Sequence, residues 1–249
     1  ENPREIVAQG DDVKVLVPHA KKGNLVARLR GTGTQKPILF LAHFDVVEAR
    51  REDWSLDPFQ LTEKDGYFYG RGTEDIKNGA TYLLEGFIRL KREGFRPDRD
   101  YILAITADEE GGDYNGVTWL LKNHRDLIDA AFCVNTDGGG GQLIHGKPTV
   151  FGLQASEKLY FTYEITAKNP GGHSSRPRPD NAIYSLANAL SRLAKFTFPV
   201  SLNPVSRAFF EQTARVETPA NAAAMRAIVA NPSNAAAAAK LSADARYAS

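Results

Sequence analysis

Three short apolar runs limit what this 249-residue chain can fold into. They occupy residues 37–42 (PILFLA), 101–106 (YILAIT) and 130–134 (AAFCV). A continuous apolar run of this length marks a strand covered on both faces. Between the first two runs, residues 77–92 place Leu83, Leu84, Phe87, Ile88 and Leu90 at helical spacing, with Gly94 as the stop signal. Residues 117–122 continue a second helix before the third run. Residues 23–30 alternate like a strand and close on a Gly31-Thr32-Gly33 turn, and residues 67–69 form a short strand after Asp65-Gly66. Strands separated by helices predict an α/β domain, with a mostly parallel mixed sheet and helices on both faces.

The texture changes after residue 157. Residues 158–167 alternate as a half-exposed strand and residues 181–194 read as a helix. Beyond Pro199 the chain is Ala-rich and helical, with a break at Asn231-Pro232. One strand with several helices makes an incomplete α+β unit. The expected organisation is therefore a main domain over residues 1–157 and a partial second domain over 158–249.

A formal net charge of +1 gives no global field for nucleic acid or an anionic membrane. No apolar run approaches the roughly 18 residues of a membrane span. The single Cys133 excludes an internal disulfide framework and a cysteine-based zinc knuckle, so a metal site must use histidine and carboxylates. The chain opens on polar residues and no signal peptide starts it; one could have been removed, so the compartment stays open. One cysteine and no charge extreme suit either a bacterial cytoplasm or a periplasm.

Polar side chains gather where the apolar runs end. His43 and Asp45 close the first run; a carboxylate beside an imidazole can fix its tautomer for metal binding, or the two can form a hydrogen-bonded pair at a sheet rim. The loop from Gly70 to Gly79 opens a helix, with Asp75 placed to cap it; it lacks the Gly-Lys-Ser/Thr ending of a phosphate loop. Asp108, Glu109 and Glu110 end the second run, where desolvated charged carboxylates are costly unless a cation is near; a solvated loop is the competing reading. Asn135, Thr136 and Asp137 end the third, ahead of four glycines, and could form a plain turn. Ligands of open α/β sheets bind at this end of the strands. Histidine with several carboxylates and no cysteine suits zinc in a hydrolytic site, or manganese or cobalt.

The segments LAHFDVV (41–47), GRGTEDIKNG (70–79) and TADEEGG (106–112) resemble the aminoacylase and glutamate-carboxypeptidase family of co-catalytic zinc exopeptidases, whose members include acetylornithine deacetylase and succinyl-diaminopimelate desuccinylase. WSLDPF (54–59) and GGHSSRP (171–177) fit as well, and the resemblance spans about residues 24–195. It implies a zinc-exopeptidase-like fold with a lid/dimerisation domain, and two zinc ions per complete active site. His43 would bind one zinc, with Asp45 orienting its ring. Asp75 would bridge both metals, Glu110 would hold the second, and Asp137 would complete the first. Glu109 would be the general base. His173, in the lid, would reach across a homodimer to the substrate carbonyl. The reaction implied is hydrolysis of an amide or peptide bond in a small substrate, such as a dipeptide or an N-acyl amino acid. The family often holds the peptide after the bridging aspartate in cis, here Asp75-Ile76.

The chain departs from that pattern in several respects. The family's second metal takes another histidine, and no histidine follows His173. His19, His124 and His145 do not match: His124 falls at a helix end and His145 in a turn-like stretch. The closing lid strands and the usual N-terminal helix are also not found. The chain is accordingly read as a fragment of a longer peptidase. Two functions stay open: a zinc-dependent exopeptidase or deacylase, or a metal- or ligand-binding fragment of the same fold that has lost catalysis.

Overall fold

In the computed structural model, residues 12–144 and 147–247 are described. The contacts divide the chain into two units, with the division between Gly140 and Gly141. The sequence reading set a boundary at residue 157; the contacts assign the stretch from Gly141 to 157 to the second unit.

The first unit is built on a five-stranded sheet in the order β1-β2-β6-β3-β7. Its strands are β1 (Val13–His19), β2 (Lys22–Leu29), β3 (Gln35–His43), β6 (Arg99–Thr106) and β7 (Phe132–Asn135). A hairpin of β4 (Thr62–Lys64) and β5 (Tyr67–Tyr69) stands apart from it. The central strands explain the continuous apolar runs. Ile102 and Ala104 of β6 face one side, with Leu39, Leu120 and Ile128. Leu103 and Ile105 face the other, with Ala42, Ile76 and Ala80. Helices α2 (Gly116–Asn123) and α3 (Arg125–Ile128) supply Leu120 and Ile128 to the first face. Helix α1 (Lys77–Arg92) packs Ala80, Leu83 and Phe87 on the second. Both faces are thus covered, as expected.

The sheet is mixed in equal parts rather than mostly parallel. β3 pairs with β6 and β7 in parallel, whereas β1–β2 and β2–β6 are antiparallel. Burial patterning reports how many faces a strand hides, and carries no signal for the direction of its neighbour. Helix α1 has the predicted bounds. It stops at Gly94, whose φ of 68° suits glycine, with Gly94 N bonded to Lys91 O and Phe95 N to Leu90 O. Asp75 does not cap this helix: the N-cap is Ile76, and no side chain bonds there.

From the division onward, β8 (Gly140–Ile144) and β9 (Lys147–Gly152) form a two-stranded sheet. The turn expected around His145 falls partly outside the described residues, as do residues 1–11; residues 142–144 are strand. Helix α4 (Ala182–Leu193) follows, with Asn181 capping it through Ile183 N. Then come α5 (Pro204–Thr213), α6 (Pro219–Ala230) and α7 (Ala235–Ser242), broken at Asn231-Pro232 as the sequence implied. Asn203, Thr218 and Asn234 cap these three. Met225, Ile228, Leu241 and alanines form their core.

The strand expected over residues 158–167 is not formed. This stretch has no regular structure, and Leu159, Tyr160, Phe161 and Tyr163 are exposed. Alternation marks a face that wants covering, but a strand also needs a hydrogen-bonded neighbour. Among the described residues none pairs with it. No helix among these residues is long and apolar enough to cross a membrane.

Candidate metal centre

Three parallel strands, β6, β3 and β7, lie side by side and end at the same edge. His43 closes β3 opposite Thr106 of β6, and Asn135 of β7 lies opposite Leu41. The polar residues that follow each strand are therefore brought together by register.

His43 is the hub, and its side chain is only 2% exposed. Its Nδ1 lies 3.1 Å from the main-chain carbonyl of Asp45 and 3.5 Å from Asp45 Oδ1. A carbonyl only accepts, so Nδ1 carries a proton; a cation at Nε2 would take the lone pair there, whereas without one an Nε2–H would donate to Asp75 Oδ1. Nε2 faces three carboxylates: Asp75 Oδ1 at 3.1 Å, Asp137 Oδ2 at 3.7 Å and Glu109 Oε2 at 3.8 Å. Two overlapping groups of ligand atoms result, His43–Glu109–Asp137 and His43–Asp75–Glu110. Both use His43, and no other histidine enters either group among the described residues. Asp75 arrives from the loop before α1, and the Asp75-Ile76 peptide is cis, as expected.

The donor set fits a divalent cation. Two ligands on a tetrahedral zinc with bonds near 2.05 Å stand about 3.3 Å apart. The distances from Nε2 to its three neighbours, 3.1–3.8 Å, bracket that spacing. Glu110 Oε1 and Asp45 Oδ1 are also buried without a hydrogen-bond partner, a costly state that a nearby cation relieves for a ligand carboxylate. Burial pushes the Glu109 carboxyl above its usual range; the His43 ring pulls it back, and the carboxylates of Asp137, Glu110 and Asp45 push it up again.

The remaining expected residue, His173, belongs to the second unit and is exposed. Ser175 N donates to its Nδ1 at 3.2 Å, so the ring proton of the neutral form sits on Nε2. His124 ends α2 and lies against Trp119, and His19 stacks on Tyr114; neither joins the cluster.

Sequence reasoning missed Lys22 and Asn24 of β2, which grip the strand end before Glu109. Lys22 Nζ forms an ion pair with Asp108, and Asn24 Oδ1 accepts Ala107 N at 3.0 Å. Asn24 is fully buried. An asparagine within a strand that also carries Leu25 and Val26 was the available signal.

Comparisons with known proteins identify the family. The family model described as peptidase family M20/M25/M40 matches residues 39–246. A probable succinyl-diaminopimelate desuccinylase of Staphylococcus aureus is 36% identical over 180 residues, 70% of this chain and 41% of that protein. The N-fatty-acyl-amino acid synthase/hydrolase PM20D1 of Xenopus tropicalis is 34% identical over 171 residues, 66% of this chain and 32% of its own length. The chain thus spans about a third to two fifths of the length of these relatives. Among solved structures, human carnosine dipeptidase 1 is similar with a TM-score of 0.41 and 25% identity, covering 48% of this chain and 27% of the other.

Proposed function

Because this chain belongs to peptidase family M20/M25/M40, we propose that it carries the metal-binding half of a hydrolase acting on an amide or peptide bond in a small substrate. N-acyl amino acids and short peptides are the proposed substrates. Relatives named for desuccinylation and for N-fatty-acyl-amino acid hydrolysis support that class. The observation that carries the reading is the buried His43 Nε2 facing Asp75, Asp137 and Glu109 at 3.1–3.8 Å.

In this proposal, His43 and Asp137 would hold one zinc, Asp75 would be shared with the second metal position, and Glu110 would serve that second position. That second position has no histidine of its own among the described residues. A bound zinc would supply Lewis acidity, making hydroxide available near neutral pH and polarising the scissile carbonyl. Glu109 would accept the proton of the attacking water and deliver it to the leaving amine. Its upward-shifted carboxyl suits that exchange better than an ordinary one. The Nε2–H of His173 would donate to the developing oxyanion from a closed lid in an assembled homodimer.

Metal binding and turnover test this together. The chain should bind zinc in equilibrium dialysis, and His43→Ala should abolish binding. In a form with measurable hydrolysis of N-acyl amino acids, Glu109→Gln should keep the metal and lower kcat by about 10²–10⁴. Unchanged turnover would sink the base assignment.

A further inference from the structure

Glu109 and Glu110 are presented by an unusual turn. Asp108, just before them, has φ 65°, in the left-handed region that L side chains rarely adopt. It is nonetheless an aspartate, 4% exposed. Its carboxylate is fully engaged: Oδ1 pairs with Lys22 Nζ, and Oδ2 accepts Tyr114 N at 2.7 Å. A Cβ at Gly112 would lie 1.8 Å from Oδ2, so the loop closes tightly over this group.

The strand end before the turn is held from the same side. Ala107 N donates to Asn24 Oδ1 at 3.0 Å, and Ala107 O accepts Gly116 N at 2.8 Å. Lys22 and Asn24 both belong to β2, which pairs antiparallel with β6 through Leu25 and Ile105. On the other side, Glu110 N donates to Asp45 Oδ2 at 3.1 Å. Glu109 and Glu110 thus hang on a turn anchored at both ends.

We propose that the Lys22–Asp108 ion pair is the positioning device for the metal-site carboxylates. It locks the left-handed turn at Asp108 and thereby aims Glu109 and Glu110 at the position His43 faces. Neither Lys22 nor Asp108 belongs to a candidate ligand group; both act through the turn. Groups that orient ligands typically change metal affinity 10–100-fold when removed. This inference rests on the metal-binding reading above.

The test compares the 249-residue chain with Lys22→Met, Lys22→Arg, Asp108→Asn, Asp108→Gly and the Lys22→Met/Asp108→Asn double variant. Asp108→Gly keeps the left-handed backbone accessible while removing the carboxylate. Zinc affinity is read by calorimetric competition against a chelator, and the Tm of the metal-free protein is read separately. The expected result is a 10–100-fold weaker zinc affinity in Lys22→Met, Asp108→Asn and Asp108→Gly. Lys22→Arg should recover most of it. The double variant should be no weaker than the worse single one, because one interaction is removed twice. Wild-type zinc affinity in the variants, with or without a lower Tm, would make the pair a fold anchor only and overturn the proposal. Additive losses would overturn it as well. A wild-type chain that binds no zinc would instead overturn the metal-binding reading, and this inference with it.

Discussion

Asp45 holds Glu110 by its backbone: its Oδ2 accepts the Glu110 N–H at 3.1 Å, while its own main-chain carbonyl faces His43 Nδ1 at 3.1 Å. One residue therefore ties the end of β3 to the turn after β6. The division of labour differs from a simple aspartate–histidine pair. The closer partner of Nδ1 is the Asp45 carbonyl, which persists whatever side chain stands at 45, and the Asp45 carboxylate lies further off at 3.5 Å.

Replacing Asp45 should separate these two tasks. Asp45→Asn keeps an acceptor for Glu110 N and the carbonyl for His43. Zinc affinity should fall less than about tenfold. Asp45→Ala leaves Glu110 N without that acceptor and should cost about 10–100-fold, the range for lost ligand-orienting contacts. Calorimetric titration of both variants checks this; equal losses would return the orienting role to the carboxylate charge.

The cluster was legible in the sequence because its chemistry demands particular residue types at strand ends. A histidine after PILFLA and paired glutamates after YILAIT stand out against any core pattern. The contacts that aim those residues were hidden. Lys22 and Asn24 reach the site only through the antiparallel register of β2 on β6, and pairing direction leaves no trace in hydrophobic periodicity. The carbonyl of Asp45 is backbone, so no side-chain motif announces it. Residues 158–167 failed as a strand for a related reason: alternation describes a face and does not name the neighbour that would bond to it.

Glu109 offers a prediction in pH. Burial raises its carboxyl above the usual range in the metal-free protein, and a carboxyl is active as a base only when deprotonated. Its titration, followed by carbon NMR with Glu109→Gln as the assignment control, should be displaced upward from model glutamate. Added zinc should move it back down, because a nearby cation favours the carboxylate. A titration at the ordinary position in both states would remove the support that burial gives to the base role.

A second pH effect belongs to the C-terminal helices. Asp244 pairs with Arg246, and Glu217 takes hydrogen bonds from Tyr247 and Arg246. The side-chain bond from Arg246 holds the Asp244 carboxyl down at about 2, and Tyr247 holds Glu217 below its usual range. A carboxyl whose folded pKa is depressed contributes stability above its unfolded value, here 3.8, and loses it as pH falls through 2. Wild type should therefore melt above Arg246→Met at pH 6. The gap should shrink steadily between pH 4 and pH 2, in the window set by Asp244. A gap independent of pH would assign the effect of Arg246 to packing on Tyr247.

Two glycines of α1 should respond in opposite directions to alanine. At Gly86 a Cβ meets nothing within 4 Å, so Gly86→Ala should gain most of the helix-propensity difference, about 1 kcal/mol. That corresponds to a Tm rise of a few degrees in a protein of this size. At Gly79 a Cβ would lie 2.5 Å from Thr136 Oγ1 and 3.0 Å from Thr136 Cβ. The same propensity gain is then opposed by overpacking worth about 1–3 kcal/mol. Thr136 directly precedes Asp137, whose carboxylate stands 3.7 Å from His43 Nε2. Gly79→Ala should therefore lower the Tm and weaken zinc binding together, whereas Gly86→Ala leaves zinc binding as it is. Thermal melts with and without zinc measure both. A Gly79→Ala variant that melts higher and binds zinc normally would show that Thr136 moves aside without disturbing Asp137.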